Sequence, residues 1–263
     1  MDSLTFLFDF GVSGQLSWFD DGINKQHDVN GNVEYIALQF PLHKRIAMSV
    51  GILPYSYVGY NFGAQRTNED GFNYVETFNG SGGLNDLYLG LSIDIWKKRL
   101  SVGANVGYFF GNIKHEQYSI VGSNSDVYNA IQSQNLEVRD IKMDFGVQYT
   151  HPLSKTENIT VGLVFSPKKS LHSTYINTTA KYTSGGASEL VSADTTKNAG
   201  FDIPNSIGFG ASCVKNNKLT LAADFLYETW NKANFTVLRI ILKTVSGLEA
   251  EQSIYRIIRT VIF

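Results

Sequence analysis

The sequence predicts an all-β fold, an antiparallel transmembrane β-barrel. Two observations support this class: apolar side chains recur at every second position in segment after segment, and short and long connections follow one another in regular order. The opposite face of each segment carries glycine, serine and asparagine rather than the dense charge of a water-facing sheet surface. Membrane barrels divide their strands in this way, with apolar side chains toward lipid and small or polar ones toward the lumen.

Residues 84 to 111 show the pattern most clearly and predict a long β-hairpin. Aliphatic side chains occupy every second position from residue 87 to 95, and the chain then turns at Lys97-Lys98-Arg99. The alternation resumes from residue 100 to 110. Weaker versions of it predict strands at residues 5–18, 35–42, 46–52, 140–149, 159–165, 207–213 and 219–227. The pattern therefore predicts nine clear strands.

The connections between these strands alternate in length. Short turns are predicted at residues 43–45, 97–99, 151–158 and 215–218, and long polar loops at 19–32, 59–83, 112–137 and 167–204. The first long loop contains an Asn30-Gly31 turn signal, and the last contains a ragged strand at residues 174–182. Outer-membrane barrels have short periplasmic turns and longer extracellular loops, so this parity gives the wall an orientation.

Composition excludes several other classes. Charged residues make up only 17% and aromatic residues 13%, a balance unlike that of disordered chains. The net charge of -2 does not indicate the basic surface that nucleic-acid binding requires. No apolar run is long enough for a transmembrane helix, and the chain begins without a signal peptide. We expect the parent protein to lie in the cell outer membrane, with outer-membrane lipid as its surroundings and an oligomeric state that the sequence leaves open.

The strand pattern ends abruptly near Thr236. We therefore divide the chain into an incomplete barrel, residues 1–235, and an aberrant tail, residues 236–263. One interpretation of the tail is a cationic amphipathic helix at a membrane surface. The interpretation that we favour is that the tail is translated out of frame. Codons that are allowed for residues 236–263, when read two nucleotides later, can encode a glycine-rich sequence that resembles the preceding strands.

Several of these stretches resemble the FadL family of outer-membrane transport proteins, in the form found in Bacteroidetes-type bacteria. The resemblance covers roughly residues 2 to 235 and rests on residues 2–11, 35–42, 51–60, 84–111, 204–212 and 219–230. It implies a fourteen-stranded barrel, of which this chain would supply about nine to twelve strands. It also implies an N-terminal hatch that plugs the barrel, with hydrophobic substrates such as long-chain fatty acids leaving through an opening in the wall. On this comparison the signal peptide and hatch would precede Met1, and the last strands would follow Phe235.

The inward faces of the predicted strands supply the candidate site residues. Candidates for lining a hydrophobic ligand are Leu7, Tyr35, Tyr88, Phe109, Val164 and Leu226. Candidates for a lumenal polar network are Asp9, Asp94, Asn105, Lys142, Asp144 and Asp224. Each has a simpler interpretation, as a residue that packs within the inner wall or is solvated or paired there. The histidines are widely separated, so we expect no metal, no cofactor and no catalytic centre.

Three functions remain open at this point. The leading hypothesis is a channel fragment whose parent facilitates uptake of hydrophobic small molecules, with no bond made or broken. The second is a structural or interaction barrel, such as a secretion-system component or adhesin, that acts through its long extracellular loops. The third is a soluble β-sandwich binding module.

Overall fold

A computed structural model describes residues 6–20, 22, 25–67, 71, 73–96, 99–121, 128–154, 156–182, 188–216 and 218–234. Apart from one 3-10 turn, Trp230–Lys232, the elements formed by these residues are strands. In chain order they are β1 Leu7–Asp20, β2 Lys25–His43, β3 Ile46–Thr67, β4 Asn73–Trp96, β5 Leu100–Val121, β6 Asn129–Pro152, β7 Asn158–Ser166, β8 Lys169–Leu171, β9 Ser173–Tyr182, β10 Ser188–Lys197, β11 Phe201–Ile203, β12 Ser206–Lys215 and β13 Leu219–Glu228. The predicted tail, residues 236–263, lies outside the described part of the chain.

Eleven of the strands form one curled antiparallel sheet, a half-barrel. Its main path runs β1-β2-β3-β4-β5-β6-β7-β12-β13, with β9 added beside β6 and β10 beside β9. The path contains every strand that the sequence pattern predicts clearly, so the predicted all-β barrel class is confirmed. The ragged strand at residues 174–182 is confirmed as β9. Among the described residues, the other sheet is the two-stranded β8–β11 sheet, which is far too small to be the second layer of a sandwich, and the β-sandwich alternative is therefore wrong.

Three of the four predicted long loops are instead extensions of paired strands. β3 and β4 stay in register up to Thr67 and Asn73, and β5 and β6 pair up to Ser119 and Ala130. Asn30 and Gly31 lie within a β1–β2 ladder, opposite Gln15 and Gly14, so the predicted turn there is wrong. These segments show no regular apolar alternation because their inner face mixes polar residues such as Gln134 with apolar ones such as Ile113, although the backbone ladder continues.

The fourth predicted loop, residues 167–204, contains β8 to β11 and changes the partner of β6. The lower part of β6 pairs with β7 from Phe145 to Pro152, and its upper part pairs with β9 from Asn129 to Val138. Between these two ladders the chain leaves the wall. The small β8–β11 sheet forms there, and β11 is buried along its whole length.

The outward face of β4 marks where the wall contacts lipid. Its aliphatic side chains between residues 87 and 95 are each 44–56% exposed. The same face above them carries polar residues, including Asn85, Ser81, Asn79 and Thr77. The apolar row matches the roughly 9–11 residues of a transmembrane β-strand. We call residues 87–95 and the residues at the same height on neighbouring strands the lipid-facing band.

The strands continue far above this band. At about 3.3 Å per residue, residues 73 to 86 of β4 extend roughly 45 Å along the strand beyond its upper edge. We call this part of β3 to β6 the extension. Among the described residues, no helix is long and apolar enough to cross a membrane.

Candidate functional site

The concave face of the half-barrel carries an ion bridge that spans three strands. Lys142 on β6 places its Nζ atom 2.9 Å from Asp86 Oδ2 on β4 and 2.9 Å from Asp144 Oδ2 on its own strand. The three side chains are only 8–24% exposed. Because the bridge joins β4 to β6 across β5, it connects strands that share no backbone hydrogen bonds.

The bridge depends on a missing side chain at Gly107. This glycine lies on β5 directly opposite Lys142, and a β-carbon placed there would lie 2.1 Å from Asp86 Oδ1. Asp86 thus reaches Lys142 through the space that a larger residue would fill. A buried ion pair that loses one partner leaves an uncompensated charge, so the glycine is required for this arrangement.

Two of the other predicted polar residues lie on the same inner surface. Asn105 extends over Gly90 beside Ser49, where a β-carbon on the glycine would lie 2.4 Å from Asn105 Oδ1. Lower on the wall, Asp94 accepts a hydrogen bond from Ser101. Together with the ion bridge, these groups form a polar layer inside the lipid-facing band.

The remaining two predicted polar residues lie apart from this layer, near the sheet edges. Asp9 on β1 accepts a hydrogen bond of 3.3 Å from the Tyr35 hydroxyl. Asp224 on β13 lies over Gly210. The structure therefore joins Lys142 to Asp144 and separates Asp9 and Asp224 from them.

Asp86 was missed in the sequence interpretation, although it completes the bridge. The signal was present, because Asp86 has the same strand parity as Tyr88, Gly90 and Asp94. The register across the predicted hairpin pairs Tyr88 with Gly107, so extending the inward face by one more position identifies Asp86.

An apolar core fills the concave face above the polar layer. Phe109, Leu136 and Val138 are 0% exposed, and Leu84 is 1% exposed. Tyr55 packs edge-on against Phe109 with ring centroids 4.8 Å apart. The rest of the core comes from Ile113 on β5, from Tyr175 on β9, and from chain that has left the wall: Leu171, Ala199, Phe201 and Ile203. We call residues 169–171 and 199–203, which include the small β8–β11 sheet, the β8–β11 segment, and this segment occupies the interior at this height.

Two buried aspartates fix that segment to the wall. Asp140, just above the lipid-facing row of β6, accepts hydrogen bonds from the His172 backbone N–H at 2.9 Å and from the Ile141 N–H at 2.7 Å. Its carboxylate also lies 3.2 Å from Lys169 Nζ. Burial alone would raise the pKa of Asp140, but these hydrogen bonds outweigh burial and hold it at about 2.

Asp202 on β11 is bound in the same way. Its carboxylate pairs with Lys168 Nζ at 2.8 Å, accepts a hydrogen bond from Ser170 and receives the Asn234 N–H at 3.1 Å. Burial opposes ionisation here as well, yet the pKa of Asp202 is lowered by these donors. Both ends of the β8–β11 segment are therefore held by charged hydrogen bonds.

The inner face of the extension holds a second polar pair. The Tyr60 hydroxyl lies 2.6 Å from His115 Nδ1, and the two rings stack with centroids 5.7 Å apart. Burial lowers the pKa of His115 below its ordinary value. Burial therefore disfavours the protonated form of this imidazole.

The predicted ligand-lining residues do not converge on one cavity. Tyr35 lies over Gly11, Tyr88 lies over Gly51, and Phe109 belongs to the apolar core. Val164 and Leu226 meet on either side of Gly208 and are 51% and 50% exposed. Leu7, on β1, is 52% exposed. Only Val164 and Leu226 are brought together, near the β13 edge of the sheet.

The chemistry available to these groups is limited to charge and hydrogen bonding. Within the described ranges, no group of three or more histidine, cysteine, aspartate or glutamate residues is arranged to hold a metal ion. Lys142 is shared by two carboxylates, so the ion bridge carries one more negative than positive charge. The arrangement can stabilise the wall and give the inner surface an acidic character.

Comparison with known proteins gives one family. A family model described as BamG matches residues 2–250, which is nearly the whole chain. No curated protein matches the sequence. The match supports the prediction of an outer-membrane β-barrel protein. It does not support membership of the FadL family itself.

Proposed function

We propose that this chain, which belongs to the BamG family, is an outer-membrane barrel that works by binding other proteins through its extension. The family and the half-barrel fold place the protein among outer-membrane β-barrels. The binding of other proteins is what we propose beyond this class. It involves no bond-making chemistry.

The observation that carries this proposal is the filled interior. A channel for hydrophobic compounds needs a continuous apolar cavity, yet Phe109, Leu136 and Val138 are completely buried against the β8–β11 segment. The charged hydrogen bonds of Asp140 and Asp202 hold that segment in place. The β8–β11 segment fills the concave face above the polar layer, and this packing favours a role for the outer surfaces.

The extension supplies such a surface. Its outward face on β4 and β5 is largely polar and includes a Lys114–Glu116 pair at 2.7 Å, and exposed Val75 and Ile120 pair with each other farther up the strands. Protein interfaces outside obligate complexes combine polar and apolar groups in this way. A tall paired sheet is also more rigid than a loop, so less conformational entropy is lost on binding.

A second candidate is the uptake of hydrophobic small molecules, which the sequence analysis placed first. The break in the β6 ladder between Val138 and Phe145 favours it, because backbone pairing on that side of the wall is interrupted beside the lipid-facing band. A lateral exit for an apolar compound would use such a break. The β8–β11 segment would then have to move.

Site-specific crosslinking in cells tests the two proposals. A photoreactive amino acid is placed at Thr77 or Asn79, on the outward face of the extension, and at Leu89 in the lipid-facing band as a matched control on the same face of β4. The interaction proposal predicts a discrete protein adduct at positions 77 and 79 and none at 89. Absence of an adduct at the extension, together with loss of radiolabelled fatty-acid uptake on gene deletion, would favour the channel instead.

A further inference from the structure

We propose that the outer face of the wall binds a phosphate-bearing lipid headgroup in a cleft where β6 changes partner. The cleft has a volume of about 260 Å³. Its lining residues are Glu137, Arg139, His172, Ser173, Thr174, Lys197 and Asn198, and we call it the phosphate cleft.

The phosphate cleft exists because two ladders end at the same height. The β6–β9 ladder stops at the Val138–Ser173 pair, and the β9–β10 ladder stops at the Thr174–Lys197 pair. The chain then turns away at Asn198, which has a φ of 53° and donates its N–H to the Ser173 carbonyl at 2.7 Å. Because no strand continues below these pairs, a hollow remains beside β6.

The charge of the cleft is cationic. Arg139 and Lys197 are both exposed, and the ion pairs formed among the described residues include neither of them. The acidic lining residue, Glu137, accepts a hydrogen bond of 3.2 Å from Asn135 Nδ2. An arginine and a lysine that converge on one hollow provide the charge-assisted hydrogen bonds that a phosphate group accepts.

The height of the cleft points to lipid as the source of the phosphate. Arg139 lies on the same face of β6 as Ile141, Met143 and Phe145, which are 46–54% exposed and belong to the lipid-facing band. Two residues along a strand span about 7 Å, so Arg139 lies just above the apolar row. Lipid headgroups are found at this level, and basic pockets there bind their phosphates.

The orientation of the wall identifies the leaflet. The extension rises from the same end of the band as the phosphate cleft, and the longer ends of outer-membrane barrels face the cell exterior. The outer leaflet of this membrane carries phosphorylated glycolipid. We therefore assign the cleft to a phosphate of an outer-leaflet glycolipid.

Binding of lipid A by the full chain in detergent tests this assignment. Native mass spectrometry compares phosphorylated lipid A, the same lipid with its phosphates removed, and inorganic phosphate. The test variant is Arg139→Gln with Lys197→Gln. The matched control, Lys215→Gln with Lys218→Gln, removes two exposed charges at the opposite end of the wall.

The proposal predicts that the wild type binds phosphorylated lipid A about tenfold more tightly than the dephosphorylated lipid. The test variant should lose about tenfold, and the control should change by less than about twofold. Lys197→Gln alone, at the exposed end of β10, provides a milder variant if the double substitution impairs folding, and a loss of about threefold is expected.

Two results would overturn the proposal. Equal binding of the two forms of lipid A, or unchanged binding by the correctly folded test variant, would show that the cleft does not recognise phosphate. Displacement of lipid A by an equal concentration of inorganic phosphate would assign the site to the free ion rather than to a lipid. Circular dichroism and heat-dependent gel mobility report whether each variant is folded.

Discussion

Replacement of Gly107 by alanine should break the ion bridge between β4 and β6. The new methyl group would lie 2.1 Å from Asp86 Oδ1 and 3.0 Å from Asp86 Cγ, so the carboxylate has to move away from Lys142. Overpacking costs about 1–3 kcal/mol and breaking a buried pair about 3–5 kcal/mol. Because Lys142 keeps Asp144 as a partner, we expect a net loss of about 2 kcal/mol, which changes the folding equilibrium by roughly 30-fold.

Urea unfolding of the protein in lipid vesicles measures this loss. Gly59→Ala is the matched control, because a β-carbon at Gly59 would have nothing within 4 Å. We expect Gly59→Ala to change the free energy of unfolding by less than about 0.5 kcal/mol.

A double-mutant cycle isolates the cause. In an Asp86→Ala background the alanine at position 107 meets no carboxylate, so most of its cost should disappear. If Gly107→Ala costs the same with and without Asp86, or no more than Gly59→Ala, the explanation of the bridge is wrong.

Three further predictions concern the core and the two titrating pairs. Phe109→Ala should cost about 3–5 kcal/mol of unfolding free energy and Phe145→Ala, in the lipid-facing band, less than half as much; equal losses would contradict a packed interior. The pKa of Asp140 falls from 3.8 to about 2 on folding, so its stabilising effect is complete above pH 3.8 and is lost as the pH falls toward 2. The urea midpoint should therefore drop more steeply over that range for the wild type than for Asp140→Asn, and parallel curves would refute this. His115 should titrate below 6.5 in an NMR experiment, and its contribution to stability should be lost as the pH falls below that value; titration at or above 6.5 would show that the imidazole is not buried.

The wall could be predicted from the sequence because lipid imposes a strict rule on one face of each strand. Residues 87–95 alternate without exception, and the strands of the main path follow the same rule. The extension could not be predicted, since its inner face mixes polar and apolar residues and its outer face is largely polar, so the alternation is lost while the backbone pairing persists. β8 and β11 are three-residue strands, too short to produce any periodic signal.

The candidate site was predictable in part. Lys142 and Asp144 were identified from their shared inward face, and the structure joins them in one ion bridge. Asp86 required knowledge of the register across β4, β5 and β6, and the predicted short turn at residues 97–99 indicates that register only for β4 and β5. The cationic phosphate cleft was beyond sequence reasoning, because Arg139 and Lys197 are brought together only where β6 exchanges β7 for β9.

The contrast between the lower and upper halves of β4 is the most direct test of the whole account. Cys213, the one cysteine in the sequence, is first replaced by serine. Single nitroxide labels are then placed at Leu89, Leu91, Asn79 and Ser81, all on the outward face, in protein reconstituted in lipid. The account predicts that oxygen, which is soluble in lipid, reaches labels 89 and 91 preferentially, and that a water-soluble nickel chelate reaches labels 79 and 81. Equal access of the nickel chelate to all four positions would contradict a lipid-facing band and with it the assignment as an outer-membrane barrel.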